Sequence, residues 1–438
     1  MIYVALIWKA SRQVKKDVFQ ESVLNHLVND KTNFPSFTII IPAYNEELLI
    51  YQTVMSFIKL NYSNFEVIVV DDGSTDKTMD VLKEKFCLVA SNEEPINKIG
   101  RKSCHSVQVS KTFKNLKVLG QDNGRKGSAI NQGVAFAKND WVCVVDADTI
   151  PEVDALYKMA LYILNHPNYH GIGCSLRIAN GAEIKDFSIS TGKLPKNHIS
   201  NFQIIEYIRS FFGGRIGWDA FRATLLLSGA FSAIRKDLIL EVGGFSTTSI
   251  VEDLNFCMKC YRARGRSLNF KIYPEPLAWT QAPLDYRSLA AQRLRWQRGL
   301  IDSVWRFRGL FLNPKIGRVG FIHFPYLIYG MIIEPFIEVY SFFVMVYSYL
   351  YGFISTEQLL VLTGFTLFLV VLINISALSI EENYFSRQKS LKSRFRIIFY
   401  SVFEIIYYHQ LLTLLNIYAT FTTFGFKPKW GYMKRNKF

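Results

Sequence analysis

With 438 residues the chain is too long for one ordinary core, so a large domain accompanied by something else is expected. Its formal net charge is +15, yet 50% of it is apolar, with 35 Phe and 23 Tyr. A basic, aromatic-rich chain without a nucleic-acid motif suits anionic lipid and an anionic ligand, and argues against a polynucleotide partner.

The start, "MIYVALIW", is an apolar run too short to span a bilayer, and it lacks the basic start and cleavage site of a secretory signal. Running on through "KASRQVKKDVF", it predicts a membrane-associated helix or the tail end of a spanning one within residues 1–33. Alternating strands and helices follow. "FTIII" (37–41) and "FEVIVV" (65–70) read as strands, the first followed by the helical pattern "EELLIYQTVMSFIKL" and the second by a helix from Thr75 to about Lys85. "NLKVLG" reads as a short third strand, "GSAINQGVAFAK" as a helix and "WVCVV" as a fourth strand. Continuous apolar strands alternating with helices predict an α/β fold, a mostly parallel sheet with helices on both faces.

In such sheets ligands bind beyond the carboxyl ends of the strands. Here each apolar run ends in polar residues: "PAYNEE", then "DDGSTD", then "DADT". Asp146 and Asp148 at a strand tip can share one hard divalent cation, Mg²⁺ or Mn²⁺, which keeps places open for the phosphates of a nucleoside diphosphate. Taken alone, "DDGSTD" is also a good turn, with Ser74 or Thr75 as helix caps. Arg125 and Lys126, at a helix start, suit a phosphate. The six cysteines lie at 87, 104, 143, 174, 257 and 260. Cys257 and Cys260 form a lone C-x-x-C within a predicted helix, which favours packing over zinc.

Beyond residue 290 the chain turns amphipathic, then apolar. "QRLRWQRG" and "RGLIDSVWRFRGLF" predict a basic interfacial helix across 291–320. Three apolar stretches follow, 321–353, 358–380 and 397–424, each at least as long as the roughly 20 residues a span requires. Pro325 and Pro335 interrupt the first, and Glu404, His409 and Gln410 interrupt the third. Those polar groups either face a water-filled passage or pair with a neighbouring helix. Five Lys and Arg in "EENYFSRQKSLKSRFR" place that loop and the N-terminal domain in the cytoplasm. The basic tail, 427–438, would lie outside after three crossings, while two or four would remove that conflict, so the number of crossings stays open. The expected organisation is an N-terminal helix or anchor (1–33), a cytosolic domain (34–290), an interfacial helix (291–320), a transmembrane region (321–426) and the tail (427–438).

The ordered set "IPAYNEE", "VVDDGSTD", "DNGRKGSAINQG", "VVDADT", "SGAFSAIRKD…VGGF", "VEDLNF" and "QRLRWQRG" resembles the processive, membrane-bound family-2 glycosyltransferases. Relatives there include the synthases of cellulose, chitin, hyaluronan and poly-N-acetylglucosamine. The resemblance covers roughly residues 37 to 310 and implies a type-A, nucleotide-sugar-binding glycosyltransferase domain in a multi-pass protein of the cell membrane. It further implies that Pro42, Ala43, Tyr44 and Glu46 hold the nucleoside and that Asp72 contacts the uracil or ribose. Asp146 and Asp148 would bind diphosphate and metal, with Lys126 beside them. Asp253 would be the catalytic base, and Gln292, Arg295 and Trp296 would lie near the acceptor. Simple chemistry agrees: attack by a sugar hydroxyl needs one base, and the departing diphosphate needs positive charge, which a metal and Arg295 supply. No second carboxylate nucleophile is required, so single displacement with inversion is the expected course. Trp296 offers a flat face to an acceptor sugar.

This sequence also departs from the pattern. Asn255 stands where many relatives carry another acid, and 87–116 is an insertion. Three functions are consistent with the motifs: polymer synthesis from a UDP-sugar, transfer of one sugar to a lipid-linked acceptor, or a non-catalytic membrane scaffold. Retention of Asp72, Asp146, Asp148 and Asp253 disfavours the last. For a polymer, the expected exit runs from Trp296 between the helices of 321–380 and the polar face of 397–424.

Overall fold

Apolar, β-branched runs form the centre of the sheet. In the computed structural model, which describes residues 2–27, 34–191, 193–385 and 391–423, twelve strands form. They are β1 (Phe37–Ala43), β2 (Phe65–Asp71), β3 (Leu88–Ala90), β4 (Cys104–Ser110), β5 (Leu116–Gln121), β6 (Trp141–Val145), β7 (Thr149–Pro151), β8 (Gly171–Ile178), β9 (Glu183–Lys185), β10 (Ser188–Thr191), β11 (Phe231–Arg235) and β12 (Phe270–Thr280). Ten of them make one sheet in the order β3-β4-β5-β2-β1-β6-β11-β8-β12-β7. The block β5-β2-β1-β6 is parallel, as its near-continuous apolar strands demand. Ile39, Ile40, Ile41 and Val67 through Val70 are fully buried, each worth about 1.5–3 kcal/mol.

The sheet as a whole is mixed, because antiparallel strands flank that block: β11 joins β6 and β8, β7 joins β12, and β3 and β4 extend the other edge. That last edge lies in the insertion. The expected third strand is therefore the fifth, preceded by two short, half-polar strands. The helix expected from Thr75 begins at Thr78 instead, because Ser74 and Thr75 bond Asn45 rather than the helix start. Asp76 Oδ1 takes the Thr78 amide at 2.9 Å.

The N-terminal run forms one helix, Ile2–Leu27. Its stripe Leu6, Ala10 and Val14 is buried, while Ile2, Val4 and Trp8 stay exposed. The helix packs on the segments Phe211–Arg215 and Ile216–Ala220 and on helix Thr356–Phe385. Gly217 permits that approach: a Cβ there would meet the Leu6 carbonyl oxygen at 2.7 Å.

Among the described residues, three helical stretches are long and apolar enough to cross a membrane: Val319–Leu350, Thr356–Phe385 and Lys392–Thr422. Arginines of the preceding domain tie the second and third to it. Arg177 pairs with Glu381 at 2.5 Å, Arg298 donates to Thr422 Oγ1 at 2.7 Å, and Arg209 grips Glu404 through two bonds of 2.7 and 2.9 Å. The basic tail and the middle of the 381–396 loop lie outside the described residues.

Candidate active site

Parallel register brings the strand-end loops together. Ala43 of β1 lies opposite Asp71 of β2, and the Asp72 amide donates to the Ala43 carbonyl at 2.9 Å. Asn45, at φ +57°, laces the first loop to the second: its Oδ1 accepts from the Thr75 amide at 2.8 Å, and its amide donates to Ser74 Oγ at 3.0 Å. Gly73 is obligatory beside them, since its φ is +73° and a Cβ would meet the Asn123 amide nitrogen at 2.8 Å. Asp72 is buried, and its Oδ1 accepts from Gln121 Nε2 at 2.6 Å and the Gly124 amide at 2.8 Å. Burial pushes its carboxyl above the ordinary aspartate value despite those donors.

After β6 the chain turns sharply, the Thr149 amide donating to the Asp146 carbonyl at 3.1 Å and Thr53 Oγ1 pinning the Ala147 carbonyl at 2.7 Å. Asp148 points inward, with Thr280 Oγ1 3.3 Å from its Oδ1. Asp146 meets Lys126, whose ammonium lies 2.6 Å from Asp146 Oδ1 and 2.8 Å from Glu252 Oε1. Burial works against that ammonium, but Asp146, Glu252 and Asp253 outweigh it and hold Lys126 protonated, above its usual range. Asp253 follows at the start of helix Glu252–Arg264, its carboxylate taking the Gly229 amide at 3.2 Å and the Leu254 amide at 2.8 Å. Burial first, and Glu252 second, raise its pKa, with Lys126 opposing.

Helix Tyr286–Arg306, capped by Asp285 at the Ser288 amide, carries the fourth wall. On it Arg295 donates to the Ile250 carbonyl at 3.2 Å, and Trp296 is covered on one face by Arg293 at 4.4 Å. Gln292 Oε1 is buried without a hydrogen-bond partner among the described residues.

All of the residues singled out from the sequence line one cavity of about 1150 Å³: Pro42, Ala43, Tyr44, Glu46, Asp72, Lys126, Asp146, Asp148, Asp253, Gln292, Arg295 and Trp296. The cavity continues past Trp296 to Tyr326, Met331, Leu412 and Asn416 of the apolar helices. Glu404 and His409 are not among its walls. Glu404 is spent on Arg209 and Asn374, and His409 lies 3.3 Å from Glu338, which also takes Gln410 and Thr413. The polar interruptions of the third stretch therefore pair with neighbouring elements, and the face of that helix toward the cavity is Leu412 and Asn416. Cys257 and Cys260 are buried in their helix, consistent with packing.

Glu206, Arg209, Arg215, Glu252 and Arg293 also line the cavity, and nothing in the sequence marked them as site residues. Glu252 sits inside a quoted motif, but its partner Lys126 lies far back in the chain. Arg215 ends the π-helical turn Phe211–Arg215 and stacks on Phe211 at 4.5 Å, with its Nη1 buried and unpartnered among the described residues. Burial lowers its pKa while Asp253 pulls the other way. The only local signal was an arginine after a glycine pair in "FFGGRIG".

A carboxylate cluster beyond the ends of a parallel strand block, facing a long apolar-mouthed cavity, accords with what the whole sequence matches. The chain belongs to the family described as "Glycosyl transferase family group 2", which matches residues 141–380, and "Glycosyl transferase family 2" matches residues 38–98. It is 28% identical over 398 residues to a Bacillus subtilis (strain 168) protein named "Probable glycosyltransferase YdaM", covering 88% of this chain and 82% of that protein. It is also 28% identical to the poly-beta-1,6-N-acetyl-D-glucosamine synthase of Staphylococcus aureus (strain COL) over 264 residues, 60% of this chain and 54% of the synthase. The match thus spans about half the length of that relative. Among solved structures, a mannosyltransferase from Pyrobaculum calidifontis in complex with GDP-Man and Mn²⁺ shares the fold, with a TM-score of 0.54 at 16% identity over 97% of this chain and 99% of that one.

Proposed function

We propose that the protein is an inverting glycosyltransferase that moves a sugar from a UDP-sugar to the growing end of a glycan, with its catalytic domain on the cytoplasmic face of the cell membrane. The observation that carries this reading is the single cavity joining strand-end carboxylates, Trp296 and the apolar helices. In it, Pro42, Ala43, Tyr44, Glu46 and Asp72 receive the nucleoside, and Asp146, Lys126 and Arg295 face the diphosphate. Asp146, Asp148 and Glu252 offer only hard oxygen donors, and a cation, the Lys126 ammonium, already lies where two of them converge, so the residues fit Mg²⁺ or Mn²⁺. Bound there, the metal would neutralise charge on the departing diphosphate.

Asp253 takes the proton of the acceptor hydroxyl as that oxygen bonds to the anomeric carbon. The bond from that carbon to the diphosphate oxygen breaks, and its electron pair leaves with the diphosphate. The amides of Gly229 and Leu254 fix the Asp253 carboxylate for this task, and its raised pKa strengthens it as a base. Gln292, with its unpartnered oxygen, can accept from an acceptor hydroxyl while Trp296 stacks on the ring. A processive product would leave past Tyr326, Met331 and Asn416. The apolar mouth, Leu327, Met331 and Leu412, also favours a second reading, a single transfer to a lipid-linked acceptor. Incubating membranes that contain the protein with radiolabelled UDP-sugars, UDP-GlcNAc among them, plus Mg²⁺ or Mn²⁺ tests both. Label in a growing polymer supports the first, label in one lipid-soluble product the second, and no label from any donor refutes the enzyme.

A further inference from the structure

A second cavity, of about 500 Å³, backs onto the first. Gly124, Ser128 and Asn131 form one stripe along the start of helix Arg125–Phe136 and line it, whereas Arg125 and Lys126 on other faces line the first cavity. Five cations enter from three parts of the chain: Arg101 and Lys102 from the insertion, Lys259 and Arg262 from helix Glu252–Arg264, and Arg306 from the end of helix Tyr286–Arg306. Among the described residues no Asp or Glu lines it. Asp302, 3.2 Å from Arg306, is the carboxylate at its rim, and both side chains are 44% exposed.

The cations are poorly compensated by the protein itself. Lys259 leans on the carbonyls of Gly243 and Gly244, at 3.3 and 2.9 Å, rather than on a carboxylate. Burial lowers its pKa, and Arg262 lowers it further against an upward pull from Cys260. Arg262 lies over the Phe307 ring at 4.9 Å. Arg101 Nε is buried without a partner among the described residues. Like charges gathered this way repel, and an oxyanion with several acceptor oxygens relieves the repulsion while satisfying the donors.

We propose that this cavity binds a phosphate-bearing anion, either a soluble phosphate ester or diphosphate or the headgroup of an anionic membrane lipid. Room is sufficient for a diphosphate, and the hydroxyls of Ser246 and Thr247 add neutral donors. Arg306 adjoins Trp305, which is 69% exposed at the end of helix Tyr286–Arg306, an aromatic beside a cation as suits an anionic headgroup. Thr248 links the two cavities: its carbonyl accepts from Arg125 at 3.1 Å and its hydroxyl from Arg306 at 3.5 Å. An anion drawing on Arg306 therefore acts on the segment that leads into Glu252 and Asp253.

The test uses the full chain in detergent, titrated calorimetrically with inorganic pyrophosphate in EDTA. EDTA withholds the metal a diphosphate would share in the first cavity, and variants in each cavity separate the two, because Lys126 and Arg295 also carry positive charge in the first. Wild type is expected to bind with Kd below about 1 mM. Arg262→Gln combined with Arg306→Gln should weaken binding by about tenfold or more at unchanged Tm, as expected for losing charge-assisted bonds. Should that double variant misfold, Arg101→Gln with Lys102→Gln on the opposite wall makes the same test. Arg295→Gln, which removes a cation from the first cavity, should leave pyrophosphate affinity within about twofold of wild type. Weaker wild-type binding, undiminished binding in both double variants, or loss in Arg295→Gln would each overturn the proposal. Competition by nanodiscs containing phosphatidylglycerol, absent with phosphatidylcholine alone, assigns the site to lipid headgroups. Lack of competition by either assigns it to soluble phosphates.

Discussion

Lys126→Met removes the one ammonium shared by Asp146 and Glu252. Both carboxylate oxygens touch that nitrogen, at 2.6 and 2.8 Å, so they stand no further apart than those two contacts laid end to end. At an effective dielectric of about 20, two bare charges so placed repel by at least about 3 kcal/mol. The side chains of Lys126 and Glu252 are 15% and 6% exposed, so water screens that pair little, whereas Asp146 at 34% relaxes outward and absorbs part of the strain. A net destabilisation of about 1–3 kcal/mol follows. The same ammonium faces the proposed diphosphate, and losing one such contact in a transition state costs about a hundredfold or more in kcat. Denaturant unfolding in detergent and initial rates of sugar transfer measure the two effects, and Lys126→Arg should recover stability more than rate. Transfer at the wild-type rate by a stably folded Lys126→Met protein would refute the reasoning.

Excess EDTA should abolish transfer, and Asp148→Ala should do so without lowering Tm by more than a few degrees; full turnover in EDTA contradicts the metal site. Because burial first and Glu252 second raise the Asp253 pKa, the acid limb of the pH–rate profile should lie above the ordinary aspartate range, with activity rising as pH climbs through it. Glu252→Gln removes the second cause and should move that limb to lower pH, whereas an unmoved limb assigns the base elsewhere. Glu404→Leu leaves Arg209 buried without its partner and should cost about 3–5 kcal/mol of stability, partly regained in the double variant with Arg209→Leu. Asn416→Trp, facing the cavity, should instead shorten any polymer while the fold keeps its Tm.

What could be read from the sequence followed from local physics. β1, β2 and β6 are apolar runs that stop at polar residues, and parallel pairing carries their ends to one edge, so Tyr44, Asp72, Asp146 and Asp148 meet whatever the loops do. The strands β3 and β4 were not legible because their residues are half-polar and gain order only by pairing, β4 with β5 and β3 with β4. Long-range charge pairing was equally hidden. Nothing near Lys126 announces Glu252, and nothing near Glu404 announces Arg209, which lies far back in the chain. Polar residues in an apolar stretch signal a partner, but not which one.

The most direct test of the central claim compares initial rates of UDP release from UDP-sugars by wild-type and Asp253→Asn protein, with donor binding measured alongside. Removing a general base should lower turnover by about two orders of magnitude or more while leaving donor affinity within a few-fold. Equal turnover in the two proteins would contradict the assignment of Asp253 and the mechanism built on it.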